Sequence, residues 1–200
     1  NTSFPVPVDS TILIEGETGT GKEVFAQSIH NYSKRANGPF VAVNCAAIPQ
    51  NLLESELFGY ASGSFTGADK KGKRGLFEVA QDGTIFLDEI SEMNPMLQST
   101  LLRVLQEKQI MRIGSNMQIP INARVIAATN KDLLQMVKEN KFRKDLYYRL
   151  NILKLNIPTL KERETDIPIL FETFINQYND KISKQEIDYV TKTETFINYN

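Results

Sequence analysis

Gly16-Glu17-Thr18-Gly19-Thr20-Gly21-Lys22 is the stretch that decides the fold. It follows a short apolar run, Thr11-Ile12-Leu13-Ile14, and opens a helical pattern from Glu23 to Lys34. A strand, a glycine-rich turn and a helix in that order, with the spacing G-x-x-x-x-G-K, form a phosphate-binding loop. The glycines let backbone N–H groups converge on phosphate oxygens, and the helix N-terminus adds the positive end of its dipole. Glu17, Thr18 and Thr20 fill the variable positions, and Lys22 is placed to meet the terminal phosphates. The bland alternative is a glycine-rich turn with no ligand. The general motif closes on a serine or threonine that ligates magnesium, whereas Glu23 stands there in this chain.

Four further apolar runs follow: Phe40-Val41-Ala42-Val43, Thr84-Ile85-Phe86-Leu87, Arg124-Val125-Ile126-Ala127-Ala128 and Ile152-Leu153-Lys154-Leu155. Four of the five runs are nearly continuous in apolar residues, the pattern of parallel strands covered on both faces. Helical patterns lie between them, over Gln50 to Phe58, Pro95 to Glu107 and Leu133 to Glu139. In the segment from Pro95, Leu97, Leu101, Val104 and Leu105 share one helical face. Strands alternating with helices predict an α/β fold, a doubly wound parallel five-stranded sheet. After Pro158 the pattern becomes helical. Asp166-Ile167-Pro168 reads as a helix start, followed by Leu170, Phe171, Phe174 and Ile175 at helical spacing. Residues 1–160 are therefore expected to form the α/β nucleotide-binding core, and 161–200 part of a helical lid.

The third run ends in Asp88-Glu89, sixty-six residues after Lys22. The carboxyl ends of parallel strands converge on one crevice. There the first acid is expected to hold Mg²⁺ through water, and the second to orient and deprotonate an attacking water. Capping of the next helix is the alternative for both. Thr129-Asn130, ending the fourth run, is placed to read a γ-phosphate or the water, unless Asn130 caps the helix near Leu133. Asn44, ending the second run, is a candidate partner for Glu89, or else a turn former. Arg143 and Arg149 suit arginine fingers that stabilise charge on a transferred phosphoryl group, with surface pairs to Asp145 or Glu139 as the alternative.

Bulk composition narrows the classes. The formal net charge is −1 over 200 residues, which gives no electrostatic case for nucleic-acid binding by the whole chain. No apolar run approaches the ~20 residues of a membrane span. A single cysteine, Cys45, and no recognisable signal segment favour a cytoplasmic setting. Cys45 and the lone His30 leave no ligand set for structural zinc.

Together these segments closely resemble the central AAA+ domain of sigma-54-dependent activators, the bacterial enhancer-binding proteins. Gly63-Ser64-Phe65-Thr66-Gly67-Ala68 looks like that family's Gly-Ala-Phe-Thr-Gly-Ala signature, with serine at the second position, and Glu56-Leu57-Phe58-Gly59-Tyr60 precedes it as in the family. By itself the segment reads as a β-turn with a core phenylalanine. The resemblance, from Asp9 to about Glu172, implies instead a surface loop that contacts the sigma factor. It further implies that Glu23 is the usual residue after the loop lysine, Arg143 and Arg149 are trans-acting fingers, Asn44 switches Glu89, and Thr129-Asn130 is sensor I. The implied activity is hydrolysis of ATP with Mg²⁺ in a ring, hexameric at full length, coupled to remodelling of sigma-54 RNA polymerase. Remodelling of another client, or nucleotide binding without turnover, are the alternatives. A sensor II arginine is expected past Asn200, and regulatory and DNA-binding domains elsewhere. The 200 residues alone are then expected to bind nucleotide weakly and turn it over little.

Overall fold

The computed structural model describes residues 10–64 and 71–178. In chain order, β1 (Ile12–Glu15) leads into α1 (Lys22–Asn31), then β2 (Phe40–Asn44) and α2 (Gln50–Phe58). A short pair, β3 (Gly59–Tyr60) and β4 (Lys73–Arg74), precedes α3 (Leu76–Val79) and β5 (Thr84–Asp88). After a 3₁₀ turn at Ile90–Glu92 come α4 (Pro95–Glu107), the hairpin β6 (Gln109–Met111) and β7 (Gln118–Pro120), and β8 (Arg124–Thr129). The remaining elements are α5 (Leu133–Lys138), α6 (Lys144–Leu150), β9 (Leu153–Asn156), a second 3₁₀ turn at Leu160–Arg163, and α7 (Asp166–Tyr178).

The expected sheet forms, with strand order β2-β5-β8-β1-β9 and every pairing parallel. The last strand runs one residue later than its apolar run. Alternate side chains explain the near-continuous apolarity. Leu13, Ile85, Leu87, Val125 and Ala127 enter a large cluster with Leu53, Leu101 and Leu105 on one face. Ile12, Ile14, Phe86, Ile126 and Ala128 enter a smaller one with Ala26 on the other. A strand buried on both faces cannot alternate.

Helix α4 has clear local causes. Asn94 Oδ1 accepts from Leu97 N–H (2.9 Å), and Pro95 takes the first position, where no N–H is needed. Lys108 stops the helix in a left-handed conformation (φ 54°). Leu97, Leu101, Val104 and Leu105 are all buried, as their spacing predicts.

The chain divides into two compact units between Ile157 and Pro158. In the second, Thr159 and Glu162 close a capping box, the backbone N–H of Thr159 donating to Glu162 Oε2 (2.8 Å). Helix α7 then starts at Asp166. Among the described residues, no helix is long and apolar enough to cross a membrane.

Candidate functional site

Chain order across the sheet sets the location. From β1 the chain passes over β8 and β5 to β2, then returns through β5 and β8 and crosses β1 to β9. The direction of winding reverses between β8 and β1, and a crevice opens at the carboxyl ends of strands at such a point. Gly16–Lys22 leaves β1 there, and Asn130 leaves β8 beside it.

The loop is shaped by its own hydrogen bonds. Gly16 N–H donates to Thr129 O (3.2 Å), carrying the β1–β8 pairing one residue past the strand. The hydroxyl of Thr20 donates to Glu17 O (2.8 Å). Gly19 and Gly21 have φ of 82° and 88°, the left-handed region that side-chain-bearing residues avoid, and Gly21 caps α1. Lys22 is buried, and its Nζ donates to Gly16 O (3.1 Å) and Glu17 O (3.2 Å). Glu23 is exposed in the first turn of α1, where its charge favours the helix dipole.

The acidic pair closes the opposite wall. Glu89 sits in a left-handed conformation (φ 50°, ψ 50°), costly for a residue with a side chain and common at functional sites. Its N–H donates to Asp88 Oδ1 (3.0 Å). Glu89 Oε1 lies 3.8 Å from Lys22 Nζ, and Oε2 accepts from Asn130 N–H at 3.4 Å. Asn130 Nδ2 in turn donates to Thr18 Oγ1 (3.0 Å). One chain of contacts therefore joins segments that follow β1, β5 and β8. Neither acid side chain caps a helix; Asn94 caps α4 and Asp132 caps α5, through Leu134 N–H (2.8 Å) and Gln135 N–H (3.0 Å). The alternative of Asn130 as that cap is thereby corrected.

Other expected residues are placed differently. Thr129 is fully buried, and its hydroxyl accepts from Lys131 N–H (3.0 Å) in the turn after β8. Asn44 Oδ1 accepts from Ala46 N–H (2.9 Å) and Ala47 N–H (3.1 Å), so it caps the turn after β2 rather than reaching Glu89. Cys45, beside it, has its thiol pushed up to about 12 by burial and by the charges of Asp88 and Glu89. Arg143, just before α6, makes a bidentate pair with Asp145 (3.0 and 2.7 Å), and its Nη1 donates to Ser99 Oγ (3.0 Å). The hydrogen bonds from Arg143 hold the Asp145 carboxyl below the usual range. Arg149 Nη2 donates to Leu105 O (2.9 Å). Both arginines are exposed and bonded to α4 rather than to the loop of their own chain.

Of the glycine-flanked segment, Phe65, Thr66, Gly67 and Ala68 lie outside the described residues. Gly63 and Ser64 are described, between β3 and β4, which pair antiparallel. The Ser64 hydroxyl lies 2.6 Å from Ala61 O and 2.8 Å from Ile113 O. Gly114 has φ 75°, and a Cβ there would crowd the Ser64 side chain. Glu78 and Arg112 pair in bidentate fashion (2.8 and 2.7 Å) nearby. This pair, the Lys131–Glu92 ion pair (2.6 Å) and the buried Gln98 escaped the sequence reading. Their partners are far apart in sequence, and only Gln98, polar on an otherwise apolar helical face, left a signal.

The residues suit a polyphosphate: a glycine-rich loop opening a helix N-terminus, a buried lysine, and a carboxylate across from it. Among the described residues, no three His, Cys, Asp or Glu side chains cluster to cage a metal. A divalent ion at Asp88 would thus take most of its oxygens from water and phosphate.

Three comparisons bear on this geometry. A family model described as the sigma-54 interaction domain matches residues 3–156. The chain is 52% identical over 189 residues to a Nif-specific regulatory protein of Azotobacter vinelandii, covering 94% of this chain and 35% of that protein. It is 51% identical over 179 residues to the regulatory protein AtoC of Escherichia coli K12, covering 90% of this chain and 39% of that one. Among solved structures, NtrX from Brucella abortus in complex with ATP superposes with a TM-score of 0.77 at 40% identity, over 86% of this chain and 37% of that one. The chain thus spans little more than a third of each of these three relatives.

Proposed function

This chain belongs to the sigma-54 interaction domain family, and from that premise we propose that it is the ATP-hydrolysing core of a cytoplasmic sigma-54-dependent transcription activator. The observation that carries the reading is the contact chain from Lys22 through Glu89 and Asn130 to Thr18. It supports reading Lys22 as the phosphate-binding cation, Glu89 as the base and Asn130 as the polar sensor of one crevice. The relatives' names and the ATP complex of NtrX support the choice of partner and nucleotide.

Loop N–H groups between Gly16 and Lys22 bind phosphate oxygens, and Lys22 turns from its loop carbonyls toward the terminal phosphates. Asp88 would hold Mg²⁺, which when bound would supply neutralisation of phosphate charge. The Glu89 carboxylate accepts a proton from the attacking water, and Asn130 fixes the direction of that carboxylate through its N–H. Arg143 and Arg149, both exposed, serve the site of a neighbouring subunit in a ring, hexameric at full length. Residues 1–160 act as the core and 161–200 as the start of the lid.

For Asn44 to engage Glu89 as a switch, it must leave Ala46 and Ala47. Its two turn bonds are the restraint against which a nucleotide-dependent change works. That change is passed to the loop bearing Phe65 and Thr66, whose base is formed by β3 and β4.

The test is open-complex formation by sigma-54 polymerase at its promoter, driven by the protein at natural length. Thr66→Ala should abolish opening while ATP turnover persists. Opening retained with this variant would remove the sigma contact from the segment. No nucleotide-dependent association with sigma-54 would shift the assignment to another client.

A further inference from the structure

Gln98 is a fully buried polar side chain on the otherwise apolar inner face of α4. Its carboxamide uses both donor positions and its oxygen. Nε2 donates to Met93 O (2.8 Å) and Lys141 O (3.1 Å), while Oε1 accepts from the backbone N–H of Arg143 (2.8 Å). Met93 closes the 3₁₀ turn that begins directly after Glu89. Lys141 and Arg143 are the last turn of chain before α6. A single amide therefore spans the segment leaving the hydrolytic base and the segment presenting Arg143.

Neighbouring contacts point the same way. Ser99, next on α4, takes the Arg143 guanidinium, and Leu105 O, two turns on, takes that of Arg149. Helix α4 is capped at both ends and packed through Leu97, Leu101 and Leu105, so it is a firm frame for both arginines.

We infer that Gln98 is a positioning residue for the neighbouring subunit's reaction. It fixes the backbone of Arg143, so that the guanidinium is delivered at a set place beyond the surface of its own subunit. The inference rests on the reading of Arg143 as a finger acting in trans. Only glutamine fits the three bonds. A carboxylate in its place loses both donors, asparagine is one methylene short, and an apolar side chain removes the partner of two carbonyls and an N–H, the Met93 carbonyl among them in a buried bond.

The experiment uses the protein at its natural length, assembled with ATP. Gln98→Glu keeps shape and one acceptor but cannot donate. Its nucleotide affinity, measured by titration, should stay within about twofold, because no phosphate contact is touched. Its turnover should fall by about 10²-fold, the order expected of an ångström-scale misplacement. The deciding measurement mixes it with Glu89→Gln subunits, which lack a base but present a correctly held Arg143. Sites formed by a Gln98→Glu subunit and a Glu89→Gln neighbour should then regain turnover.

Arg143→Ala mixed with Glu89→Gln is the reference. Regain in the reference but not with Gln98→Glu would overturn the positioning role. No regain in either mixture would remove the trans-acting finger and this inference with it. Gln98→Met, should the glutamate variant not assemble, must show the same regain, together with faster hydrogen exchange of the Arg143 amide. Unchanged exchange would overturn the proposal without any reference to activity.

Discussion

Lys22 Nζ and Glu89 Oε1 face each other at 3.8 Å, with the lysine side chain 6% and the glutamate 15% exposed. The loop after β1 and the acid after β5 thus share one electrostatic unit. At such burial the attraction is screened less than on a surface. Glu89→Gln removes the base and a negative charge near the phosphates, but leaves the loop. Nucleotide binding by titration should be retained or tightened, while phosphate release falls by about 10²- to 10⁴-fold. Lys22→Ala should lose binding itself.

Asn44 gives a prediction that separates folding from switching. Its side chain caps the turn at Ala46 and Ala47. Asn44→Ala should lower unfolding free energy by about 1 kcal/mol, and Asn44→Asp, which keeps an acceptor, should not. In thermal melts the two should therefore part. If Asn44 also answers Glu89, promoter opening should suffer in both, because an added carboxylate beside Glu89 repels it.

Ser64 stands where the family signature has alanine, and its hydroxyl joins the base of the 60s segment to the hairpin through Ile113. Ser64→Ala should cost about 1 kcal/mol of stability. It should also speed hydrogen exchange at the Ala61 and Ser64 amides, which bond to Ile113 O and Ala61 O. Unchanged exchange at both would show that the hydroxyl holds nothing.

His30 is the chain's only histidine, so its titration is separable from any other imidazole. It is buried, with Nδ1 2.9 Å from Thr84 Oγ1. Burial lowers its pKa, a backbone contact at Gly38 raises it, and nearby Arg124 lowers it further, for a net downward shift from 6.5. The unfolded chain then binds the proton more readily than the folded one. Stability is fully present above about pH 6.5 and falls as the pH drops below that value. Denaturant titrations at pH 7.5 and 5.5 should show the loss. His30→Gln should flatten the slope between them.

Cys45 offers a direct reporter. It is buried, and its thiol is pushed up to about 12 by burial and by Asp88 and Glu89. At pH 8 a disulfide reagent should not label the folded protein, whereas denatured chain should label at once, since only the thiolate attacks. Rapid labelling of native protein would contradict the packing after β2.

The sequence made the sheet legible because burial on both faces leaves no room for polar residues in Ile12–Ile14 or Ile85–Leu87. Helix α4 is equally plain, its apolar residues Leu97, Leu101, Val104 and Leu105 falling at helical spacing between Pro95 and Glu107. Phosphate-loop geometry follows from glycines whose left-handed φ values only glycine adopts readily. The β3–β4 and β6–β7 pairs were not legible. Strands of two or three residues carry no period, and their pairing depends on partners such as Tyr60 and Ile113, distant in sequence. The same holds for Glu78 with Arg112 and for Gln98 with Arg143. For Asn44 the sequence leaves a partner at Glu89 and a turn former both open, and the turn at Ala46 and Ala47 takes its side chain.

The loop between β1 and α1 keeps its form through Gly16, Thr20 and Lys22 bonding within the protein. A phosphate group that arrives there exchanges partners on a backbone already in place, so little conformational entropy is lost at the encounter. Such a ligand acts on the domain by mass action. At a hundredfold excess over Kd it adds about 2.7 kcal/mol to the free energy of unfolding. Under the proposed reading, adenylate supply would set how long the domain survives as well as how fast it works.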